Sequence, residues 1–148
     1  MKNISNEVSK ALESECAHSM EQLLENKISQ NFTDLTEVLS SDTANNDDKA
    51  KALYALGRWG DKAAVAAIIK SLPKLDEIGR VSAVDALGRL DSEESFAAIE
   101  KLSTDNSPYV RKFTAQTLLR SKKAKAAKIL KSMKAKETVE FVRRHIDQ

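Results

Sequence analysis

The side chains that most often ligate metals or act as nucleophiles are scarce, because the chain has one cysteine and two histidines. Cys16 and His18 lie two residues apart in a segment with helical periodicity. Their side chains therefore point about 200° apart around the helix axis and do not converge on one ion. We expect Cys16 to be a core residue, since a free cysteine behaves as a small hydrophobe. His145 follows two arginines near the C-terminus and is expected to be solvated.

The other patterns that resemble catalytic motifs also have structural explanations. The four glycines form no phosphate-binding loop, because none opens a helix after a strand and the P-loop lysine is missing. Glu93 and Glu94 lie at a predicted helix start, where carboxylates complement the helix dipole. We therefore predict no catalytic residue, no metal site and no cofactor, and a protein that is not an enzyme.

Charge is distributed unevenly, although the net charge is only +2. Residues 1–48 carry three basic and ten acidic side chains, residues 49–107 carry nine of each, and residues 108–148 carry twelve and three. Such asymmetry is typical of a chain with an electrostatic partner or an end-to-end contact.

Basic residues also recur at intervals of 31 residues, in two columns. The arginine column consists of Arg58, Arg89 and Arg120, and the second column consists of Lys49, Arg80 and Arg111. The structural interpretation of the arginine column is capping of helix C-termini. For the second column it is pairing with acids of the turns, such as Asp76 and Asp105. The functional interpretation is contact with a partner.

A run of lysines follows the third arginine, with no acidic residue as far as Lys136. A solvated helix face usually alternates in sign, so this run favours an anionic partner. The candidate partner-binding residues are Arg58, Arg89, Arg120, Lys122, Lys125, Lys128, Lys131 and Lys134.

Composition and apolar spacing place these residues on helices. Aromatic residues make up only 5% of the chain, which favours an all-α fold. No apolar run approaches the roughly 18 residues of a membrane span, and the N-terminus lacks the apolar centre of a secretory signal, so we expect a cytoplasmic protein that does not contact membranes.

The predicted domain covers residues 1–148. Within it, residues 1–47 form a divergent helical cap, residues 48–134 form three helix pairs, and residues 135–148 form a capping half-repeat. In the cap, Ser5 starts one long helix whose apolar face is made of Val8, Leu12, Cys16, Met20, Leu23 and Leu24.

Several local details follow from the same spacing. Trp59 is predicted to be buried, and Gly57 and Gly88 to permit close helix crossings. Gly60 and Asp91 end first helices, and Asp91 is also expected to open a capping box with Glu94. Ser107 is expected to cap a helix that begins at Pro108. The inward residues of the third unit are predicted to be Val110, Phe113, Leu118, Leu119, Ala127, Leu130 and Met133.

The units resemble HEAT repeats, in particular the short bacterial type found in phycobilisome lyases. The similarity is carried by ALGRWGDKAAVAAIIKSL from Ala55, ALGRLDSEESFAAIEKL from Ala86 and DNSPYVRKFTAQTLL from Asp105. It implies a right-handed α-solenoid of stacked antiparallel helix pairs, with about four and a half repeats. The third unit departs from the pattern, because Leu119 replaces the glycine of the other two.

Three functions are consistent with this pattern. The leading hypothesis is a non-enzymatic scaffold, monomeric or weakly self-associating, that binds an acidic protein on the inner surface made by the second helices, with help from the basic C-terminal end. The first alternative is binding of nucleic-acid phosphates by the C-terminal Lys/Arg cluster. The second alternative, implied by the resemblance, is an auxiliary lyase-like or chaperone role.

Overall fold

The computed structural model describes residues 4–13, 15 and 17–148, which form ten α-helices, one 3-10 helix (Leu72–Lys74) and no strand. Among these residues no helix has both the length and the apolarity needed to cross a membrane. The α-helices are α1 (Asn6–Glu13), α2 (Ala17–Asn26), α3 (Ser29–Ser40), α4 (Asn46–Trp59), α5 (Ala64–Ser71), α6 (Glu77–Leu90), α7 (Glu93–Leu102), α8 (Pro108–Arg120), α9 (Ala124–Lys136) and α10 (Glu140–Ile146).

The helices stack in two rows, as the α-solenoid prediction requires. The first helices of successive units, α4, α6, α8 and α10, pack side by side and form the first row. The second helices, α5, α7 and α9, form the second row together with α3, which packs against α5. Neighbours in the first row pack more extensively than neighbours among α5, α7 and α9.

Two glycines account for the close packing of the first row. A Cβ atom on Gly57 would lie 2.8 Å from the Cα of Ala86, and one on Gly88 would collide with Cγ2 of Thr117. A side chain at position 57 would push α4 away from the backbone of α6, and one at position 88 would require Thr117 to move. The prediction that these glycines permit close crossings is therefore confirmed.

The N-terminal segment differs from the single long helix that its apolar spacing predicts. α1 and α2 are separate helices that pack against each other, and Nδ2 of Asn26 donates to Oε1 of Glu7 over 3.2 Å. In one straight helix these two residues would lie about 28 Å apart. The prediction of one helix is therefore wrong, and the predicted core residue Cys16 lies outside the described residues. Ser5 does cap α1, because its Oγ accepts from the amide of Val8.

A buried polar network fastens α1 to α3. Asn31 and Asp34 are each only 2% exposed. The amide of Ser5 donates to Oδ2 of Asp34 over 2.6 Å, and Nδ2 of Asn31 donates to Oε2 of Glu7 over 2.6 Å. Because these polar groups are paired, their burial fixes how α1 lies on α3.

The turns between paired helices follow the prediction except at one residue. Gly60 and Asp91 end α4 and α6 in the left-handed region, at φ values of 80° and 53°. The capping box is wrong, because Ser92 caps α7 by accepting from the amide of Ser95. Ser107 caps α8, which starts at Pro108, as predicted.

Burial agrees with the predicted core in part. Trp59 is buried, with its ring 5.8 Å from that of Phe32. Val110 and Leu118 are buried as predicted, but Phe113 and Leu119 are exposed.

The face that α9 buries is shifted by one residue over its first half, whereas Met133 is buried as predicted. It consists of Ala126, Ile129 and Met133 with partly buried Leu130, whereas the predicted Ala127 is exposed. The preceding turn explains the shift. α8 ends on Ser121 at φ −82°, without the left-handed residue of α6, so the next helix enters with a different rotation.

Candidate partner-binding groove

The second column of cations is used inside the solenoid. Nε and Nη2 of Arg80 donate to both carboxylate oxygens of Asp105, over 2.9 and 3.2 Å. Pairing with Asp105 is therefore confirmed. Asp76 has another task, because its Oδ1 accepts from the amide of Gly79 and caps α6. Lys49 is buried.

The third member of this column, Arg111, holds the last helix in place. Its Nε and Nη2 donate to Glu137 over 2.7 and 3.0 Å, and the amides of Thr138 and Val139 donate to the same carboxylate. The hydrogen bonds from Arg111 and from these amides lower the pKa of Glu137, and the pKa of Arg111 is raised by the same pair. Arg80 and Arg111 thus contribute to stability, because each pairs with an acid of a turn between successive units.

The arginine column has a different arrangement, because its three members converge on Asp85 of α6. Nε of Arg89 lies 3.0 Å from Asp85, Nη1 of Arg58 lies 3.5 Å away, and Nη2 of Arg120 lies 4.0 Å away. Each arginine also lies in the last turn of its helix, as the capping interpretation predicts, and Arg120 donates to the carbonyl of Gln116. Three guanidiniums around one carboxylate leave two uncompensated positive charges.

An apolar groove of about 620 Å³ borders this cluster. Its walls come from α4, α6 and α8, so the groove lies over the first row and not over the second row, where the inner binding surface was expected. We call it the first-row groove; its lining residues are Tyr54, Val81, Ser82, Asp85, Phe113, Gln116, Thr117, Leu119, Arg120 and Gln148.

The arginine column and the first-row groove are joined at both ends of the column. The guanidinium of Arg58 lies 3.4 Å from the centre of the Tyr54 ring, a cation–π contact that fixes both side chains. Arg120 lines the groove directly. Beyond Arg120, a neighbouring depression adds Lys122 and Lys123. Positive charge therefore extends along one rim of an apolar surface.

Acidic residues from other parts of the chain lie beside the lysine run in space. Lys123 pairs with Asp91 over 2.9 Å, and Lys125 pairs with Glu93 over 3.2 Å. Both acids belong to the preceding unit. Lys134 pairs with Asp147 over 2.7 Å, and this hydrogen bond lowers the pKa of Asp147. The charge of the run is therefore partly offset, because stacking brings in acids from elsewhere in the chain.

The lysines of α9 also do not share one face. Residues three apart differ by about 60° around a helix, so Lys125 and Lys134 point in roughly opposite directions. Between them, Lys128 and Lys131 are exposed and have no ion-pair partner within the described part of the chain. The predicted binding residues thus divide into the arginine column with Lys122, the paired Lys125 and Lys134, and the outward Lys128 and Lys131.

Sequence reasoning missed Asp85 and the apolar lining of the groove. A signal was present, because the first helices carry apolar residues outside their core faces. Ile78 and Tyr109, 31 residues apart, are both exposed, as are Tyr54 and Phe113. A helix that is apolar around most of its circumference indicates a second contact surface.

The structure describes two of the three residues considered for metal binding, His18 and His145. Among residues 4–13, 15 and 17–148, no three His, Cys, Asp or Glu side chains are placed to hold an ion. His145 is half-buried rather than solvated, and its Nδ1 lies 2.8 Å from the carbonyl oxygen of Phe141. This contact explains its position without a ligand.

Comparison with known proteins agrees with the architecture. The family described as HEAT repeats matches residues 72–147, just over half of the chain. A search of curated proteins gives no significant match. HEAT repeats commonly mediate protein–protein interactions and are generally not enzymes. With its two rows of stacked helices and this match, the chain belongs to the HEAT-repeat family.

Proposed function

We propose that this protein is a non-enzymatic scaffold that binds an acidic, partly apolar segment of a partner protein in the first-row groove. The observation that carries the proposal is the convergence of Arg58, Arg89 and Arg120 on one carboxylate at the rim of that groove. Acidic side chains of the segment meet the arginine column, and its apolar side chains cover Phe113 and Leu119. The basic C-terminal end raises the association rate.

The groove has a charge gradient that would orient the segment. Tyr54 lines the first-row groove and also a second depression, which reaches α2 and includes Glu15 and Glu21. Lys51 also lines this depression, so one end of the combined surface carries two acids and one lysine, whereas the other end is basic. A segment whose acidic residues lie over Arg89 and Arg120 has electrostatic complementarity in one direction only.

A labelled peptide of about twelve residues that alternates Glu with Leu and Phe tests the proposal by fluorescence anisotropy. We expect binding that weakens with added salt and is lost when every Glu of the peptide is replaced by Gln. Phe113→Ser should weaken binding, whereas Ile78→Ser, an exposed apolar residue outside the groove, serves as the matched control. Equal effects of the two substitutions would place the binding surface elsewhere.

A second copy of the chain is an alternative source of acidic side chains, because residues 1–48 carry seven more acids than bases. Sedimentation velocity over a range of protein concentrations measures this self-association. A second copy bound in the groove would compete with the peptide. Affinity for the peptide that is independent of protein concentration would exclude such competition.

Nucleic-acid binding remains the second candidate, and the exposed Lys128 and Lys131 favour it. Both side chains point away from the core and present charge without an acidic partner in the described structure. Anisotropy of labelled duplex and single-stranded oligonucleotides across salt concentrations tests it, with Lys125, Lys128 and Lys131 all changed to Glu as the control. A steep salt dependence that disappears in this variant would support phosphate binding.

The likeness to phycobilisome lyases stays a hypothesis about the subtype.

A further inference from the structure

Asp85 is placed where a ligand of the arginine column would bind. It lies on α6, the middle first helix, and its carboxylate faces arginines from three consecutive units. It also lines the first-row groove, so its oxygens border the space that a bound segment would fill. In effect the cluster already holds one carboxylate, supplied by the protein itself.

The three arginines are held to different degrees. Arg58 is stacked on Tyr54 and its side chain is 27% exposed, whereas those of Arg89 and Arg120 are 43% and 65% exposed. Arg120 lies 4.0 Å from Asp85, an ion pair without a hydrogen bond, and it donates instead to Gln116 and Thr117 of its own helix. The arginine nearest the open groove is therefore the one that Asp85 holds least.

One carboxylate does not saturate this cluster. A carboxylate has about four acceptor sites, whereas each guanidinium carries five N–H donors. The acid of the adjoining depression, Asp91, is already paired with Lys123, and Lys122 adds a further positive charge. A second carboxylate is thus favoured by both hydrogen bonding and charge.

We propose that Asp85 is an internal stand-in for a carboxylate of the bound segment, and that an Asp or Glu of that segment displaces it from Arg120. The inference rests on the proposed function and names a group that sets the affinity of the groove for the segment. Arg120 contacts the segment, and Arg58 and Asp85 act as positioning residues. Because Asp85 competes for the same guanidinium, it weakens the binding of any segment that lacks a well-placed acid.

The acidic Glu/Leu/Phe peptide tests the inference with Asp85→Asn, Arg120→Gln and Asp91→Asn. Asp85→Asn should tighten binding about three- to tenfold, because the internal competitor is removed. Arg120→Gln should weaken binding about tenfold. Asp91→Asn is the matched control, since it makes the same change of net charge beside the column and Asn tolerates a left-handed backbone. It should change the affinity less than about twofold.

The outcomes separate this inference from the proposed function. If the wild type binds but Asp85→Asn binds more weakly, or no more tightly than Asp91→Asn, the stand-in role is overturned while the scaffold proposal stands. If only Asp85→Asn binds, the inference is supported and the groove of the wild type is closed to this peptide. If neither binds, both proposals fail.

A spectroscopic titration of the wild type decides the matter if Asp85→Asn does not fold. In ¹H–¹⁵N spectra of the arginine side chains, added peptide should shift the Nε–H signal of Arg120 and leave that of Arg58 nearly unchanged. An unshifted Arg120 signal at peptide saturation would overturn the displacement.

Discussion

Replacing Glu137 by Gln should loosen the last helix from the rest of the solenoid. The Glu137 side chain is 4% exposed, and Arg111 donates two short hydrogen bonds to it. Breaking a fully buried ion pair by removing one partner costs about 3 to 5 kcal/mol. Here the cost is lower, because Gln still accepts from the amide of Val139, and Arg111 keeps the carbonyl of Asp105. We expect a loss of about 2 to 3 kcal/mol in unfolding free energy at pH 7.

The pH dependence of this loss gives a second test. The pKa of Glu137 is lowered by Arg111 and by the amides at the start of α10. Its stabilising contribution is therefore fully present above the unfolded pKa of about 4.3, and it disappears as the pH falls through the lower folded pKa. The difference between wild type and Glu137→Gln should be constant from pH 7 to about pH 5 and should shrink at more acidic pH.

Urea unfolding measured from pH 7 down to about pH 2.5 provides both quantities, and hydrogen exchange shows whether α10 opens before the rest. Glu140→Gln is the matched control, because it also removes one negative charge, in this case from the exposed Glu140–Arg144 pair of α10. It should cost less than about 0.5 kcal/mol. The reasoning is refuted if the two variants are equally stable at pH 7, or if the effect of Glu137→Gln does not change with acid.

Three further predictions concern the packing and the lysine run. Leu87→Ala should lower the unfolding free energy, measured by urea unfolding, by about 2 to 5 kcal/mol, since Leu87 is fully buried. Ile78→Ala, at an exposed position, should change it by less than about 0.5 kcal/mol. Gly57→Ala should lower the melting temperature, because overpacking against the α6 backbone outweighs a gain of about 1 kcal/mol in helix propensity. A melting temperature above that of the wild type would contradict the close crossing. Changing Lys128 and Lys131 to Glu should leave the far-ultraviolet circular dichroism unchanged, and unfolding would show that these lysines are structural.

Features that recur at the same position in successive units could be predicted from the sequence. The 31-residue interval aligns Gly57 with Gly88, and the close crossings follow because each glycine meets the helix of the next unit. The burial of Trp59 follows from its alignment with Leu90, which is also buried. These features repeat, so their environment can be inferred from their equivalents.

Contacts that occur at one place in the stack and do not recur could not be predicted in the same way. Asp85 pairs with Arg58, 27 residues before it, and with Arg120, 35 residues after it, because the stack places all three side by side. Phe113 has the apolar character of a core residue, and its spacing does not distinguish the core from a groove on the opposite face. The N-terminal helices were missed because a continuous apolar stripe fits one helix and a hairpin equally well.

The convergence of three arginines on Asp85 also has a mechanical consequence. An α-solenoid bends like a spring, because each unit contacts only its neighbours. The spacing of Arg58, Asp85 and Arg120 changes whenever α4, α6 and α8 shift relative to one another. If the groove binds an acidic segment as proposed, flexing of the stack would alter how the arginines contact it, and binding would restrain three units at once. Force applied along the stack and affinity for the segment would then be two measures of one elastic element.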